Sequence, residues 1–188
     1  MNEKSKGIFE SVKDGLVATI EGTGDVVKAV VDTTSSTLAT TLRGAGKTGS
    51  EGVGAITEVT RGVIHGVTSI GSDLGKAAQG AVIGVLHGTK ETGSKAIETI
   101  GHTSGSVIKS TAEVGGDLGS AAKGLVEGAI RGARDVGVSA EQAASAAATG
   151  ALDAAGKVGS NAAEKVRNAV TGTISGVKVV LREPFKKE

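Results

Sequence analysis

The chain has 188 residues and a formal net charge of +1, and it contains 31 Gly, two Phe, one Pro and no Trp, Tyr or Cys. Its small side chains bury little apolar area each, so we do not expect an ordinary globular core, and the lack of cysteine excludes a disulfide scaffold. Balanced charges and missing base-stacking aromatics argue against nucleic acid as a partner.

The N-terminal segment Met1–Glu10 carries charges and is not followed by a long apolar run. Nowhere do 18 uncharged apolar residues follow one another. We therefore expect neither a secretory signal nor a membrane-spanning segment. The expected location is cytoplasmic, at the periphery of a membrane or lipid body.

The rest of the chain is an internal repeat. The segment DLGKAAQGAVIGVLHGTKETGS, which starts at Asp73, returns at Asp117 as DLGSAAKGLVEGAIRGARDVGV, and an intermediate copy starts at Lys95. The unit is therefore 22 residues long, made of two halves of 11. We divide the chain into a tail at 1–6, eight units at 7–28, 29–50, 51–72, 73–94, 95–116, 117–138, 139–160 and 161–182, and a tail at 183–188.

Three columns recur through the units. One is aliphatic in every unit: Ile20, Leu42, Ile64, Leu86, Ile108, Ile130, Leu152 and Ile174. The two columns that flank it hold small residues, and their glycines form small-xxx-small steps: Gly62 with Gly66, Gly84 with Gly88, Gly128 with Gly132, and Gly172 with Gly176. Because such steps let two helix backbones approach closely, we identify these residues as a helix-packing or interface site.

The apolar columns repeat at about 3.67 residues, close to the helical period and far from the strand period of 2. We predict an all-α protein: one long amphipathic helix about 260 Å long, or a helical hairpin or rod. The glycine clusters Gly44, Gly46, Gly49, Gly52, Gly54 and Gly115, Gly116, Gly119 are the candidate hinges. A β-solenoid is the alternative, although Asn and Pro corner residues are scarce.

Glycine opposes this helical prediction. Each glycine inside a helix costs about 1 kcal/mol relative to alanine, so a lone helix of this sequence should not persist in water. Either the chain is partly disordered, or its helices gain stability by packing on a surface or on each other. The fixed glycine columns favour packing.

Two motifs that suggest chemistry have simpler explanations. Arg43–Ser50, RGAGKTGS, imitates a phosphate-binding loop, but Thr41 stands where the leading glycine is needed. His65 and His87 occupy one polar column and, in a continuous helix, would lie too far apart to share a metal. We expect no enzyme, no catalytic residues, no cofactor and no metal.

The pattern resembles the 11-residue amphipathic repeats of synucleins, perilipins and group 3 late-embryogenesis-abundant proteins. Arg61–Ser72 and Gly80–Ser94 are similar to the synuclein style, and Ala140–Val166 is closer to the late-embryogenesis style. The resemblance implies a chain that becomes helical on a lipid surface or on drying, without catalysis. The sequence departs from synucleins in two ways: Asp and Glu residues interrupt its lysine-rich stripes, and its glycines recur at fixed repeat positions.

Two functions follow. The first, slightly favoured by a wide and shallow apolar face, is a protein that coats a lipid or other apolar interface in a protective role. The second is a self-assembling structural protein, a bundle, fibre or shell packed through the glycine columns. The corresponding partners are a lipid surface or further copies of the chain in an oligomer or filament.

Overall fold

A computed structural model describes residues 3–45, 49–90 and 93–181. Most of them are helical. The helices are α1 (Glu3–Thr23), α2 (Val26–Ala45), α3 (Gly49–Ser69), α4 (Leu74–Thr89), α5 (Gly93–Glu113), α6 (Leu118–Gly132), α7 (Ala140–Val158) and α8 (Ser160–Val170). A 3-10 turn follows α6 at Arg134–Val136, and the strands β1 (Gly172–Ile174) and β2 (Val177–Val179) follow α8.

Glycines in the left-handed region end several of these helices. Gly71 has φ +64° and Gly115 has φ +67°, a conformation that costs glycine little. The next amide reaches back five residues in both turns: Ser72 N donates to the Val67 oxygen at 3.0 Å, and Gly116 N donates to the Thr111 oxygen at 2.8 Å. This Schellman arrangement satisfies the carbonyls left unpaired at the helix end.

A polar cap then starts the next helix. Asp73 accepts from the Lys76 amide at the start of α4, and Asp117 accepts from the Gly119 and Ser120 amides at the start of α6. Ser139 forms a capping box at the start of α7. These caps satisfy amides that have no partner inside the helix, so each short turn stops one helix and starts the next.

The helices alternate between two layers. An odd layer contains α1, α3, α5 and α7 side by side, and an even layer contains α2, α4, α6 and α8. Helices that follow each other in sequence pack across the two layers. Helices within a layer run parallel, because Gly62 and then Gly66 of α3 face Phe9 and then Lys13 of α1.

The core between the layers is aliphatic. It consists of buried Ala, Val, Leu and Ile side chains, and Leu16, Ile64, Leu86, Ile108 and Leu125 are among the largest that are fully buried. Among the described residues, the large apolar side chains that remain exposed are Val53, Val158 and Val180. None of the described helices combines the length and the apolar composition that a transmembrane span requires.

An antiparallel hairpin follows α8. Ile174 pairs with Val177, and the two residues between them, Ser175 and Gly176, both have positive φ. This combination is typical of the tight turns that join two twisted strands. The hairpin places Ile174 and Val179 in buried positions.

The all-α prediction is therefore confirmed, but the extended rod is wrong for this structure. Consecutive helices pack against each other instead. After α3, after α5 and after the 3-10 turn, a glycine with positive φ and an Asp or Ser N-cap are only two residues apart. The β-solenoid alternative is also wrong, since strands occur in the described residues only in the C-terminal hairpin. The division into eight repeat units stays a prediction, although the positive-φ glycines Gly71, Gly93, Gly115, Gly137 and Gly159 are 22 residues apart.

Candidate functional site: glycine contacts and the groove between α5 and α7

The aliphatic column lies mainly inside the stack. Ile64, Leu86 and Ile108 are fully or almost fully buried, and Ile20 is 6% exposed. Leu42, Ile130 and Leu152 are half-buried in α2, α6 and α7. Ile174 is buried in β1, outside the helices. This column, which was predicted to be a helix-packing or interface site, thus contributes mostly to packing between helices of the chain.

The glycines of α3 lie against α1. A Cβ atom on Gly62 would lie 2.9 Å from the Phe9 carbonyl oxygen and 3.0 Å from the Val12 Cβ atom. On Gly66 it would lie 3.3 Å from the Lys13 oxygen. These spacings are tighter than ordinary van der Waals contact, so a side chain at Gly62 would require the two helices to separate.

The glycines of α4 make the same kind of contact with α2. A Cβ on Gly84 would lie 2.7 Å from the Thr34 Cβ atom, and one on Gly88 would lie 2.9 Å from the Leu38 Cβ atom. The contact extends one turn earlier to Gly80, which faces Val30. The small-xxx-small step therefore brings α4 and α2 together within one chain.

The contact between α6 and α4 repeats this geometry. A Cβ on Gly128 would lie 2.5 Å from the Gln79 oxygen and 3.0 Å from its Cα atom, so it would meet rigid backbone. A Cβ on Gly132 would instead meet the tip of the Leu86 side chain at 2.8 Å. Gly150 of α7 faces the Gly101 carbonyl of α5 at the closest approach in the odd layer.

The last predicted step is not a helix-packing site. Gly172 and Gly176 have φ +106° and +80°, and a Cβ at either position would meet nothing within 4 Å. Both belong to the hairpin, in which β-branched residues and a two-residue turn favour strands over a further helical turn. The expected helix to Arg182 is wrong at this point, because α8 ends at Val170.

The contact between α3 and α5 is polar instead. Arg61 Nε lies 3.3 Å from Glu113 Oε2, and His65 Nε2 lies 4.0 Å from the same oxygen. Phe9 joins the cluster, with its ring edge-on to His65 and beneath Arg61. Burial lowers the pKa of His65, and the Arg61 charge lowers it further. In α5 the two small columns hold Ser106 and Ser110.

A groove of about 930 Å³ runs along the outer side of α5 and α7. The residues that line it include Gly101, Gly105, Gly150, Lys109 and Lys157. His102 Nε2 lies 3.4 Å from Thr57 Oγ1 at its edge. Sequence reasoning missed this groove because parallel helices placed side by side create it.

The remaining sequence motifs are the phosphate-loop-like segment and the histidine column. Gly46, Lys47 and Thr48 of the phosphate-loop-like segment lie outside the described residues. His65 and His87 lie in α3 and α4, in different layers, and His87 contacts Asp135 at 3.1 Å. In residues 3–45, 49–90 and 93–181, no group of three His, Asp or Glu side chains could hold a metal ion.

No protein family and no curated protein matches the chain.

Proposed function

We propose that this chain is a non-enzymatic structural protein whose helices stack through glycine columns and which self-assembles through the same kind of contact. One observation supports the proposal. In α3, α4 and α6 the small columns lie directly on the backbone or Cβ atoms of a neighbouring helix, as at Gly62, Gly84 and Gly128. Contacts of this kind depend on close backbone approach.

The equivalent columns of α1 are open. Ala18 and Gly22 occupy in α1 the repeat positions of Gly62 and Gly66, 44 residues earlier. Both are exposed, and a Cβ on Gly15 or Gly22 would meet nothing within 4 Å. We name the face formed by Gly15, Ala18 and Gly22 the open α1 face. In the proposed assembly it packs on the open α1 face of a second copy.

The test is association of purified protein, measured by size-exclusion chromatography with light scattering over a range of concentrations. The double variant Gly15→Gln with Gly22→Gln places bulky polar side chains on the open α1 face. Because glutamine favours helix more than glycine, the fold should be retained. We expect the concentration for half-maximal association to rise at least about tenfold, which corresponds to about 1.4 kcal/mol.

The matched control is Gly156→Gln, which changes an exposed glycine of α7 with equal open space. It should leave association unchanged. A wild-type chain that stays monomeric at all concentrations, or a double variant that associates like wild type, would show that the proposal is wrong.

Coating of an apolar interface is the second candidate, and the composition of the core favours it. The buried side chains are Ala, Val, Leu and Ile, and the described core contains no aromatic residue. Such a core buries comparatively little apolar area per side chain, so separating the helices costs comparatively little free energy. Each separated helix can then place its aliphatic stripe on lipid. The folded form has few exposed large apolar side chains, so this function requires the layers to open.

Hydrogen exchange with and without vesicles of neutral or anionic lipid tests this second candidate. Opening should keep the helical amides protected while the turns at Gly71 and Gly115 lose their Schellman hydrogen bonds and exchange faster. Vesicle flotation without any change in these turns, or no flotation at all, would contradict it.

A further inference from the structure

We infer that the C-terminal hairpin is an end cap: it covers the face of α7 on which α1 of a second copy would otherwise stack. This inference rests on the proposed self-assembly and names the surface and the partner. The surface is the side of α7 that faces away from α5, and the partner is the open α1 face of another chain.

The contact between α1 and α3 defines which side of a helix accepts its neighbour. Gly62 and Gly66 of α3 lie against Val12, Lys13 and Leu16 of α1. The same repeat positions, 132 residues further along the chain, are Ala144, Ser145 and Ala148 of α7. All three are buried, the two alanines completely. By this register, Ala144, Ser145 and Ala148 form the acceptor face of α7.

The hairpin contacts this acceptor face. Ser145 Oγ donates a hydrogen bond of 2.6 Å to the Val180 carbonyl oxygen, and β2 packs on α7. Val179 is 8% exposed, whereas its neighbour Val180 is 57% exposed. The hairpin therefore turns one apolar side towards the helix stack and occupies the place of a further helix in the odd layer.

The two ends of the odd layer differ as a result. At α1 the small columns are exposed, while at α7 the acceptor face is covered and the strands turn Thr173 and Lys178 outwards. If the α7 face were free, α1 of one copy could stack on α7 of the next with the geometry already present between α3 and α1. Such a contact is head-to-tail, so further copies would add to the stack unless its rotation closed a ring. Stacked repeat proteins need a polar cap for this reason.

The test releases the hairpin in the full-length chain. Val179→Lys places a charge at a buried hairpin position, and Val180→Lys places the same charge one residue later at an exposed position. We expect Val179→Lys to form species whose mass grows with concentration to more than about twice that of wild type. Val180→Lys should behave as wild type. Circular dichroism checks that both variants keep their helices.

A second pair of variants keeps the inference falsifiable if Val179→Lys loses helix. Ser145→Ala removes the one hydrogen bond to Val180 and should give weaker growth of the same kind, with helices intact. Combining either cap variant with Gly15→Gln and Gly22→Gln should abolish the growth. If Val179→Lys and Ser145→Ala keep their helices but form no larger species than wild type, the end-cap inference is wrong and the proposed self-assembly is unaffected. Growth that survives the two α1 substitutions would show that another surface is the partner.

Discussion

The contact between α4 and α6 and the contact between α3 and α5 join neighbouring helices of the same chain in opposite ways. In the first, Gly128 sits on the backbone of Gln79. In the second, Arg61, His65 and Glu113 meet at the surface, and serines occupy the small columns of α5. The first contact depends on shape and should fail if a methyl group is added. The second depends on charge and should respond to pH and salt.

The largest effect should come from adding a methyl group where α5 and α7 approach most closely. A Cβ on Gly150 would collide with the Gly101 carbonyl, whereas a Cβ on Gly101 would lie 3.6 Å from the Ala146 oxygen, an ordinary contact distance. We expect Gly150→Ala to lower the free energy of unfolding by about 3 kcal/mol, despite alanine's better helix propensity. Urea unfolding followed by circular dichroism measures it.

Gly101→Ala is the matched control for that measurement, because it changes the other partner of the same contact. It should be neutral or stabilising by up to about 1 kcal/mol, since alanine favours helix and finds space. Equal losses for the two variants would show that the contact is not limited by backbone approach.

A smaller difference should separate two glycines one turn apart in α6. Gly128→Ala meets backbone atoms of Gln79, which cannot move without displacing α4, and we expect a loss of about 2 kcal/mol. Gly132→Ala meets only the tip of the Leu86 side chain, which can change rotamer, so the loss should stay below about 1 kcal/mol. A larger loss for Gly132→Ala in the same unfolding assay would contradict this ranking.

The glycine columns show which features of the fold could be predicted from the sequence and which could not. The period of the apolar residues predicted helices, and the small columns predicted close helix contacts. The sequence did not distinguish glycines that pack, such as Gly84, from glycines that end a helix, such as Gly71, because they differ in φ and not in residue type. The Asp73 cap two residues after Gly71 is the local signal that predicts a turn there.

The helix that packs on each column could not be predicted from the sequence. An amphipathic pattern shows which side of a helix is buried, but it does not show which other helix buries it. The same small column faces α2 at Gly84, faces α4 at Gly128 and is exposed at Ala18. Which helix covers a given column depends on how the chain folds back between its helices. The hairpin was missed because the sequence from Thr171 to Val180 keeps the aliphatic column at Ile174, although its Val and Thr residues favour strands.

The polar contact should respond weakly to the loss of its ion pair. Arg61 and Glu113 are each more than one third exposed, so solvent screens their attraction. We expect Glu113→Gln to lower the free energy of unfolding by less than about 1 kcal/mol, and the difference from wild type to shrink in high salt. Thermal unfolding at low and high salt measures it. A loss as large as that of Gly150→Ala would place this contact among the main determinants of the fold.

The smallest effect should be a pH dependence that arises at His65. Its pKa is lowered in the folded chain, first by burial and then by the Arg61 charge, with a smaller lowering from Lys13 and an opposing influence of Glu113. Above the ordinary histidine pKa of about 6.5, both the folded and the unfolded chain hold this residue neutral, so it contributes no pH dependence. As pH falls below that value, the unfolded chain takes up the proton first, and the free energy of unfolding should fall until the folded pKa is passed. His65→Gln should remove this part of the slope. Urea unfolding of the wild-type chain and the variant at several pH values between about 7.5 and 5 measures the His65 contribution, as the difference between their two free energies of unfolding at each pH. A difference that stays constant over this range would show that the α3–α5 contact does not respond to His65 protonation.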